Sequence, residues 1–320
     1  MRFGRTPEQH AFSEALDDLL GAADVPSASR AWAAGDHSAG LKLWQRLAEL
    51  GVMGLLVPEE LGGMGATPTD LTVALERLGY HGVPGPWIES VAVAPRLLAD
   101  TPDADLLERV AAGEALVSVA TGSRALDADV AERTYALGAT LRRAEPGSEQ
   151  RSVDPTRRLF DVTAGEEVST IDSAPALELG TLACSAQLLG AGLRLLDDSV
   201  AYVKQRTQFG RPIGEFQAVK HLLADVRVAL DFAAPLVHNA AVELDADAPT
   251  AARAVSAAKV AAGDAAYLAS RTALQVHGAI GYTREFDLSL WILKVRALVG
   301  AWGIPAEHRA RILESLMEAR

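Results

Sequence analysis

Two strings in the second half of the chain place charged and amide side chains next to glycines. One is Arg206–Gln217 (RTQFGRPIGEFQ), and the other is Gln275–Phe286 (QVHGAIGYTREF). Arg206 carries a rigid fork of donors that suits phosphate oxygens. Gly278 has no side chain, so the backbone at this position can approach a flat ligand closely. Each string, taken alone, is also compatible with an ordinary connector between two helices.

Long helical patterns lead into and out of both strings. Before Arg206, apolar residues recur at alternating steps of four and three, which predicts a long helix. They are Leu182, Ala186, Leu189, Leu193, Leu196, Val200 and Val203. A second apolar stripe starts at Phe216. A third helix is predicted over 251–275, where Gly263 is expected to let neighbouring helices approach closely, and a last helical segment is predicted over 288–299. These elements predict a C-terminal helical bundle over residues 173–320.

The first part of the chain, residues 1–112, is predicted to form an N-terminal helical domain. Thr6 occupies an N-cap position and Gln9 the matching capping-box position, which indicates a helix start. Further helices are expected at Leu41–Leu50 and Asp70–Leu78.

Residues 113–172 have a different pattern. Short apolar runs begin at Val117, Tyr135 and Leu159, and polar segments with Pro and Gly separate them. This alternation predicts a small β-domain between the two helical parts.

The composition bounds the possible partners. Thirty Lys and Arg against 42 Asp and Glu give a net charge of −12, which argues against nucleic acid or an anionic membrane as the main partner. The longest apolar run, near Val52–Val57, is too short to span a bilayer, and the N-terminus lacks the apolar core of a signal peptide. We therefore expect a cytoplasmic protein. The single cysteine, Cys184, is expected to be a small buried hydrophobic residue, and no metal site is expected.

Taken together, the strings resemble those of the acyl-CoA dehydrogenases, flavoenzymes of fatty-acid and steroid side-chain β-oxidation. Arg206–Gln217 is similar to the helix-corner signature of that family, and Gln275–Phe286 to its second C-terminal motif. Pro58–Gly63 is similar to a string of its N-terminal domain, and Ser152–Arg158 to the string that closes its middle β-domain. The resemblance implies a mainly α fold with a small β region: an N-terminal helical domain, a reduced middle β-domain and a C-terminal four-helix bundle.

The resemblance also implies an FAD shared between two chains. In the family, the middle domain of one chain holds the flavin ring, while its neighbour lends the helix corner and the Gly-rich break to the pyrophosphate and adenosine. The residues of this sequence that match the lending half are Arg206, Gln208, Phe209, Gln217, Gln275, Gly278 and Ala279. His277 lies between them but is expected to be a packed histidine.

The ring-holding half does not match. The Thr-rich loop with a Gly-Ser-Asp core that holds the flavin ring and the thioester in the family is missing after Thr121, where Gly122–Leu126 stands instead. The middle region is also only about half as long as the family's β-domain.

A catalytic glutamate is missing as well. The family places this base at one of two positions, and by alignment Gly303 and Gly180 occupy them. Glu178 lies two residues from Gly180, which on a helix is about 200° around the axis. Glu307 is the only fallback base. The catalytic set is therefore expected to be empty.

These expectations identify the chain as a short, non-catalytic partner subunit of an actinobacterial α2β2 acyl-CoA dehydrogenase of steroid side-chain degradation. A full-length homologue would then supply the base and bind most of the acyl-CoA. Two alternatives stay open: a self-sufficient homomeric dehydrogenase with an atypical base, and a flavin-free structural homologue.

Overall fold

A computed structural model describes residues 4–318, which form a mainly helical protein with one small sheet. The helices are α1 (Pro7–Gly21), α2 (Val25–Ala33), α3 (Ser38–Glu49), α4 (Pro68–His81), α5 (Ala94–Leu98), α6 (Leu106–Ala111), α7 (Ala174–Gln205), α8 (Gln217–Asp245), α9 (Ala251–His277), α10 (Leu288–Gly300) and α11 (Pro305–Glu318). The strands are β1 (Val117–Ala120), β2 (Arg124–Leu126), β3 (Arg133–Leu137), β4 (Leu141–Gln150) and β5 (Leu159–Ser169), with a small ribbon of β6 (Thr207–Gln208) and β7 (Arg211–Pro212). The predicted fold class is confirmed.

Helices α1 and α4 begin at capping boxes. The Gln9 amide donates to Thr6 Oγ1 at 3.2 Å, and the Thr6 amide donates to Gln9 Oε1 at 3.1 Å. Thr67 and Asp70 make the same reciprocal pair at the start of α4. The helices expected over 41–50 and 70–78 are present as α3 and α4, whereas α2 was not predicted.

The sheet has the strand order β1-β3-β4-β5-β2. β1 and β3 run parallel, and the other neighbours are antiparallel. The apolar runs at Val117, Tyr135 and Leu159 lie in β1, β3 and β5, as predicted. β2 and β4 were not predicted, because β4 contains Pro146 and Gly147 and is mostly exposed, so it lacks the apolar alternation of a buried strand. Irregular register between β4 and β5 accommodates that proline.

Helix α7 is the centre of the molecule, and α4, α8, α9 and α10 pack around it. One hydrophobic cluster runs from Leu16 in α1 to Leu298 in α10, so the N-terminal helices and the bundle share a core. The domain boundaries at 112 and 172 stay a prediction. Within the described part of the chain, α7 is long and apolar enough to cross a membrane by length and composition. The bent pair α10–α11 passes the same test if its two helices are counted as one span. The sequence analysis considered only the apolar run near Val52–Val57 and missed both. In α7, 83% of the most apolar window is buried inside the protein.

Glycines allow α4 and α7 to touch backbone to backbone. A Cβ added at Gly79 would lie 2.3 Å from the Gln187 carbonyl oxygen, and one at Gly190 would lie 1.8 Å from that of Glu76. Gly263 on α9 has no such role, since an added Cβ would meet no atom within 4 Å. The expectation that Gly263 brings helices together is therefore wrong, and glycines on α4 and α7 do so instead.

We expect Gly190→Ala to lower the free energy of unfolding by about 1–3 kcal/mol, because the two helices must separate to admit the methyl group. The matched variant Gly263→Ala should raise it by about 0.5–1 kcal/mol, since it only restrains the backbone of the unfolded chain. Urea unfolding followed by circular dichroism measures both. Equal effects of the two substitutions would show that the α4–α7 contact is not tight.

Candidate functional site

The Arg206–Gln217 string folds as a β-hairpin between α7 and α8. Strands β6 and β7 pair antiparallel, and the Ile213 amide donates to the Arg206 carbonyl at 2.8 Å. Phe209 and Gly210 form the two-residue turn, with φ values of 53° and 78°. Positive φ at both positions is typical of a type I′ turn. The sequence predicted a break between two helices but not this hairpin.

The turn holds an aromatic ring out into solvent. Phe209 is 92% exposed, and a phenylalanine with positive φ is uncommon. Its ring meets Phe216 edge to face, with centroids 6.2 Å apart, and the Arg211 guanidinium lies 4.2 Å from the Phe216 ring. Strained backbone of this kind concentrates at binding sites.

The polar residues of the first string face solvent as well. Arg206, Gln208 and Gln217 are exposed. Their side chains have no hydrogen bond or ion pair with any residue in 4–318. A guanidinium and two amides are therefore free to bind a ligand.

The second string begins where α9 ends. Gly278, with φ 63° and ψ −139°, terminates the helix and leads into a 3₁₀ turn, Gly278–Tyr282. Gln275, Gly278 and Ala279 are exposed. A Cβ at Gly278 would meet nothing within 4 Å, so its backbone angle rather than a crowded neighbour favours glycine there.

A ring stack joins the two strings. The centroids of the half-buried Tyr202 ring and the buried His277 ring lie 4.2 Å apart, with an angle of 28° between the ring planes. Tyr202 precedes Arg206 by one helical turn, and His277 directly precedes Gly278, so the seven candidate residues are exposed at one end of the bundle. His277 is buried, its Nδ1 hydrogen bonds the Ala273 carbonyl at 2.8 Å, and burial lowers its pKa. The expectation of a packed histidine is confirmed, while the cofactor role of the seven residues stays a prediction.

The two aligned base positions lie near the other end of α7. An added Cβ at Gly180 would lie 2.6 Å from the ring of Trp302. One at Gly303, where φ is 97°, would lie 2.5 Å from His308 Nε2. Neither position has room for a side chain.

Buried polar groups fix the segment between α10 and α11. Lys259 Nζ donates to the carbonyls of Leu298 at 3.2 Å and Val299 at 3.0 Å, where the helix dipole of α10 is negative. The His308 ring hydrogen bonds the Trp302 carbonyl at 2.9 Å and Ser256 Oγ at 3.2 Å. Trp302 is thereby held over Gly180.

The two acids near these glycines have structural partners. Glu178 is paired with Arg311, and burial raises its pKa. Glu307 is exposed and accepts a hydrogen bond from the Ile304 amide at 3.0 Å, which caps the start of α11.

Cys184 is fully buried, as expected, and its Sγ lies 3.4 Å from the Leu298 carbonyl oxygen.

A small cavity remains beside Gly303. Its volume is about 300 Å³, and its wall includes Glu89, Thr121, Arg157 and Trp302; we call it the Glu89 cavity. Sequence reasoning missed Glu89. The available signal was a lone acid within the apolar run Trp87–Val93.

Among the residues that the structure describes, no group of three or more His, Cys, Asp or Glu side chains is placed to hold a metal ion. The candidate site consists of the two exposed strings at one end of the bundle and the crowded glycines Gly180 and Gly303 near the other end of α7.

Comparison with known proteins gives the family. The chain matches the model of the acyl-CoA dehydrogenase N-terminal domain over residues 6–114 and that of the C-terminal domain over residues 173–317. The protein belongs to the acyl-CoA dehydrogenase family, flavin-dependent oxidoreductases. Among its relatives is acyl-CoA dehydrogenase IpdE2 of Mycobacterium tuberculosis strain H37Rv, which is 32% identical over 98% of both chains.

Two solved structures share the whole fold. A variant of the Tcur3481–Tcur3483 steroid acyl-CoA dehydrogenase matches with a TM-score of 0.86 and 21% identity over 98% of both chains. The ChsE4–ChsE5 complex from Mycobacterium tuberculosis matches with a TM-score of 0.83 and 22% identity over 99% of both chains. These similarities confirm the fold of the chain from end to end.

We expect Gly303→Glu to create no dehydrogenase in the chain alone. The new side chain would collide with His308 at a backbone angle that disfavours it, so the free energy of unfolding should fall by about 1–3 kcal/mol. Dye-coupled turnover and thermal unfolding measure the two effects. Acyl-CoA turnover by the variant would show that the segment can open to admit a base.

Proposed function

We propose that this chain is the non-catalytic subunit of an FAD-dependent acyl-CoA dehydrogenase and completes the FAD site of a catalytic partner. One observation carries the proposal: the cofactor half-site and the base position lie toward opposite ends of α7. With a rise of 1.5 Å per residue, Gly180 and Arg206 are about 39 Å apart. That distance is longer than one extended dinucleotide, so a flavin held by Arg206 serves another chain's active site.

The exposed residues fit the phosphate-bearing half of FAD. The Arg206 guanidinium provides charge-assisted hydrogen bonds to pyrophosphate oxygens. The amides of Gln208 and Gln275 provide further hydrogen bonds, and Phe209 offers a flat apolar face. When bound, FAD accepts the hydride that leaves the substrate Cβ. The contribution of this chain is to bind and orient the cofactor.

The base for the Cα proton comes from the partner in this proposal. Gly180 and Gly303 are closed by Trp302 and His308, and Glu307 caps a helix. A proton acceptor must lie within hydrogen-bond reach of the substrate, and neither closed position offers one. These contacts count against the self-sufficient enzyme that uses Glu307.

An exposed apolar stripe supports a partner chain. Val228, Phe232 and Leu236 are 52%, 73% and 41% exposed, and they recur every four residues along α8. Such a stripe marks a surface that another protein covers. We propose a full-length acyl-CoA dehydrogenase homologue in an α2β2 assembly, which binds most of the acyl-CoA.

The reaction of the complex would be oxidation of an acyl-CoA to a trans-2-enoyl-CoA in the cytoplasm. The end-to-end match to a steroid acyl-CoA dehydrogenase supports a steroid side chain as the acyl group. Nucleic acid and membranes have no part in this proposal, in keeping with the acidic net charge.

Arg206→Ala should lower the FAD affinity of the complex by about 1.5–3 kcal/mol, roughly 10- to 150-fold, because a charge-assisted contact to phosphate is lost. Arg46→Ala, which removes an exposed arginine of α3, is the matched control. Equilibrium dialysis with FAD measures the dissociation constant. An unchanged constant for Arg206→Ala would remove Arg206 from the site.

Co-expression with a full-length homologue should give two flavins in four subunits, since only the partner has a ring-holding pocket. The measurement is native mass and flavin absorbance on one sample. Four flavins per tetramer, or a yellow and active homomer, would contradict the shared site and favour the self-sufficient enzyme. A colourless but stable complex would favour the flavin-free structural homologue.

A further inference from the structure

The Glu89 cavity holds groups that the proposed function does not use. Glu89 is 3% exposed, and its Oε2 has no hydrogen-bond partner among the described residues. A buried carboxyl oxygen without a partner is costly and calls for a ligand or a role. Thr121, Arg124 and Glu307 are exposed at the mouth, so the cavity opens to solvent on that side.

The backbone that carries Glu89 is firmly placed. It lies on a π-helical turn, Ile88–Val93, a feature that is frequent at functional sites. The neighbouring Ser90 hydroxyl donates to the Val117 carbonyl at 2.8 Å and accepts from the Val117 amide at 2.9 Å. These bonds tie the turn to the first strand of the sheet.

Arg157 is the second unused group. Its guanidinium makes no hydrogen bond or ion pair with residues 4–318, whereas the adjacent Arg158 is paired with Glu149 and Asp129. Arg157 lines the Glu89 cavity and also a larger groove of about 850 Å³. Burial raises the pKa of Glu89, and the positive charge of Arg157 only partly opposes this rise, since the two side chains do not hydrogen bond each other.

A buried network fixes the turn before Arg157. The Thr156 amide and hydroxyl both donate to Asp154 Oδ1, at 2.9 and 2.8 Å. Lys294 Nζ donates to Thr156 Oγ1 at 3.1 Å and lies 3.5 Å from Asp154 Oδ2. The backbone that leads into Arg157 is thus fixed in advance of any ligand, which lowers the entropic cost of binding.

We propose that the Glu89 cavity binds a small organic acid, whose carboxylate lies between the Arg157 guanidinium and the Glu89 carboxyl. The guanidinium fork matches the two oxygens of a carboxylate. Burial raises the pKa of Glu89, which favours the protonated form that donates a hydrogen bond to the ligand.

The size and charge of the cavity select this class of ligand. A volume of about 300 Å³ admits a molecule of a few carbon atoms but not a nucleotide. A phosphate dianion would bring a second negative charge toward Glu307 at the mouth. A monoanionic carboxylate needs only the donors that are present.

The test is calorimetric titration of the full chain, in the assembly in which it purifies, with the monoanion butyrate as the probe and butyramide as the uncharged control ligand. We expect butyrate to bind with a dissociation constant below about 10 mM and butyramide not to bind in that range. Arg157→Met should weaken butyrate binding at least about tenfold. Arg133→Met, which removes a half-buried arginine of β3 outside the cavity, should leave it unchanged.

Glu89→Gln should retain binding within about threefold, because an amide also donates a hydrogen bond to the carboxylate. If Arg157→Met does not fold, Arg157→Lys takes its place and should bind more weakly than wild type, since a point charge replaces the fork. Absence of butyrate binding, or equal binding by the Arg157 and Arg133 variants, would overturn the proposal. Flavin absorbance on the same samples reports separately on the Arg206 half-site, so failure of one proposal is distinguishable from failure of the other.

Discussion

The close contact between α4 and α7 determines the geometry of the rest of the molecule. Gly79 and Gly190 let two backbones meet, so α7 is held rigidly in a core shared by the N-terminal helices and the bundle. A rigid helix of 32 residues separates its two ends by about 48 Å. One end of α7 carries the closed base position and the other end leads into the cofactor hairpin. This separation is the basis of the proposed division of work between two chains.

The closed end of α7 is a packed segment in which neither Gly180 nor Gly303 has room for a side chain. Trp302 occupies the space above Gly180, while Lys259 and His308 satisfy the carbonyls around it. A glutamate at either position would replace packed apolar and hydrogen-bonded contacts with a buried charge, which is unfavourable without a partner. The glycines therefore fit a segment that has a structural role.

The cavity beside that segment retains ionisable groups although the base positions are filled. Burial raises the pKa of Glu89 in this cavity. Burial also raises the pKa of the nearby Asp127 to about 7, although Trp32 Nε1 donates a hydrogen bond to Asp127 Oδ1 at 3.0 Å. Buried carboxyls reduce stability unless they are protonated or bind a partner. Their presence next to Arg157, which has no ion pair within residues 4–318, is the basis of the proposed ligand site.

Local patterns in the sequence determined the helices, the strings at 206–217 and 275–286, and the packed state of Cys184 and His277. Periodicity, capping residues and glycine punctuation act over a few neighbours, so they can be recognised without the fold. The same rules missed β4, because Pro146 and Gly147 interrupt it and it lacks the apolar alternation of a buried strand. They also missed the hairpin, because a phenylalanine is uncommon at the positive φ that its turn requires.

Only the tertiary structure decided which glycines matter and where the free polar groups lie. Gly190 and Gly263 both lie within apolar helices, but an added Cβ would clash only at Gly190. The clash is with α4, which lies more than a hundred residues away in the sequence, so the sequence pattern around the glycine does not reveal it. Glu89 and Arg157 lie far apart in the sequence and share a cavity only after folding. The sequence alone predicted the residues suited to a cofactor, and only the structure showed that the long helix α7 separates them from Gly180, because that distance depends on the whole helix staying straight in the core.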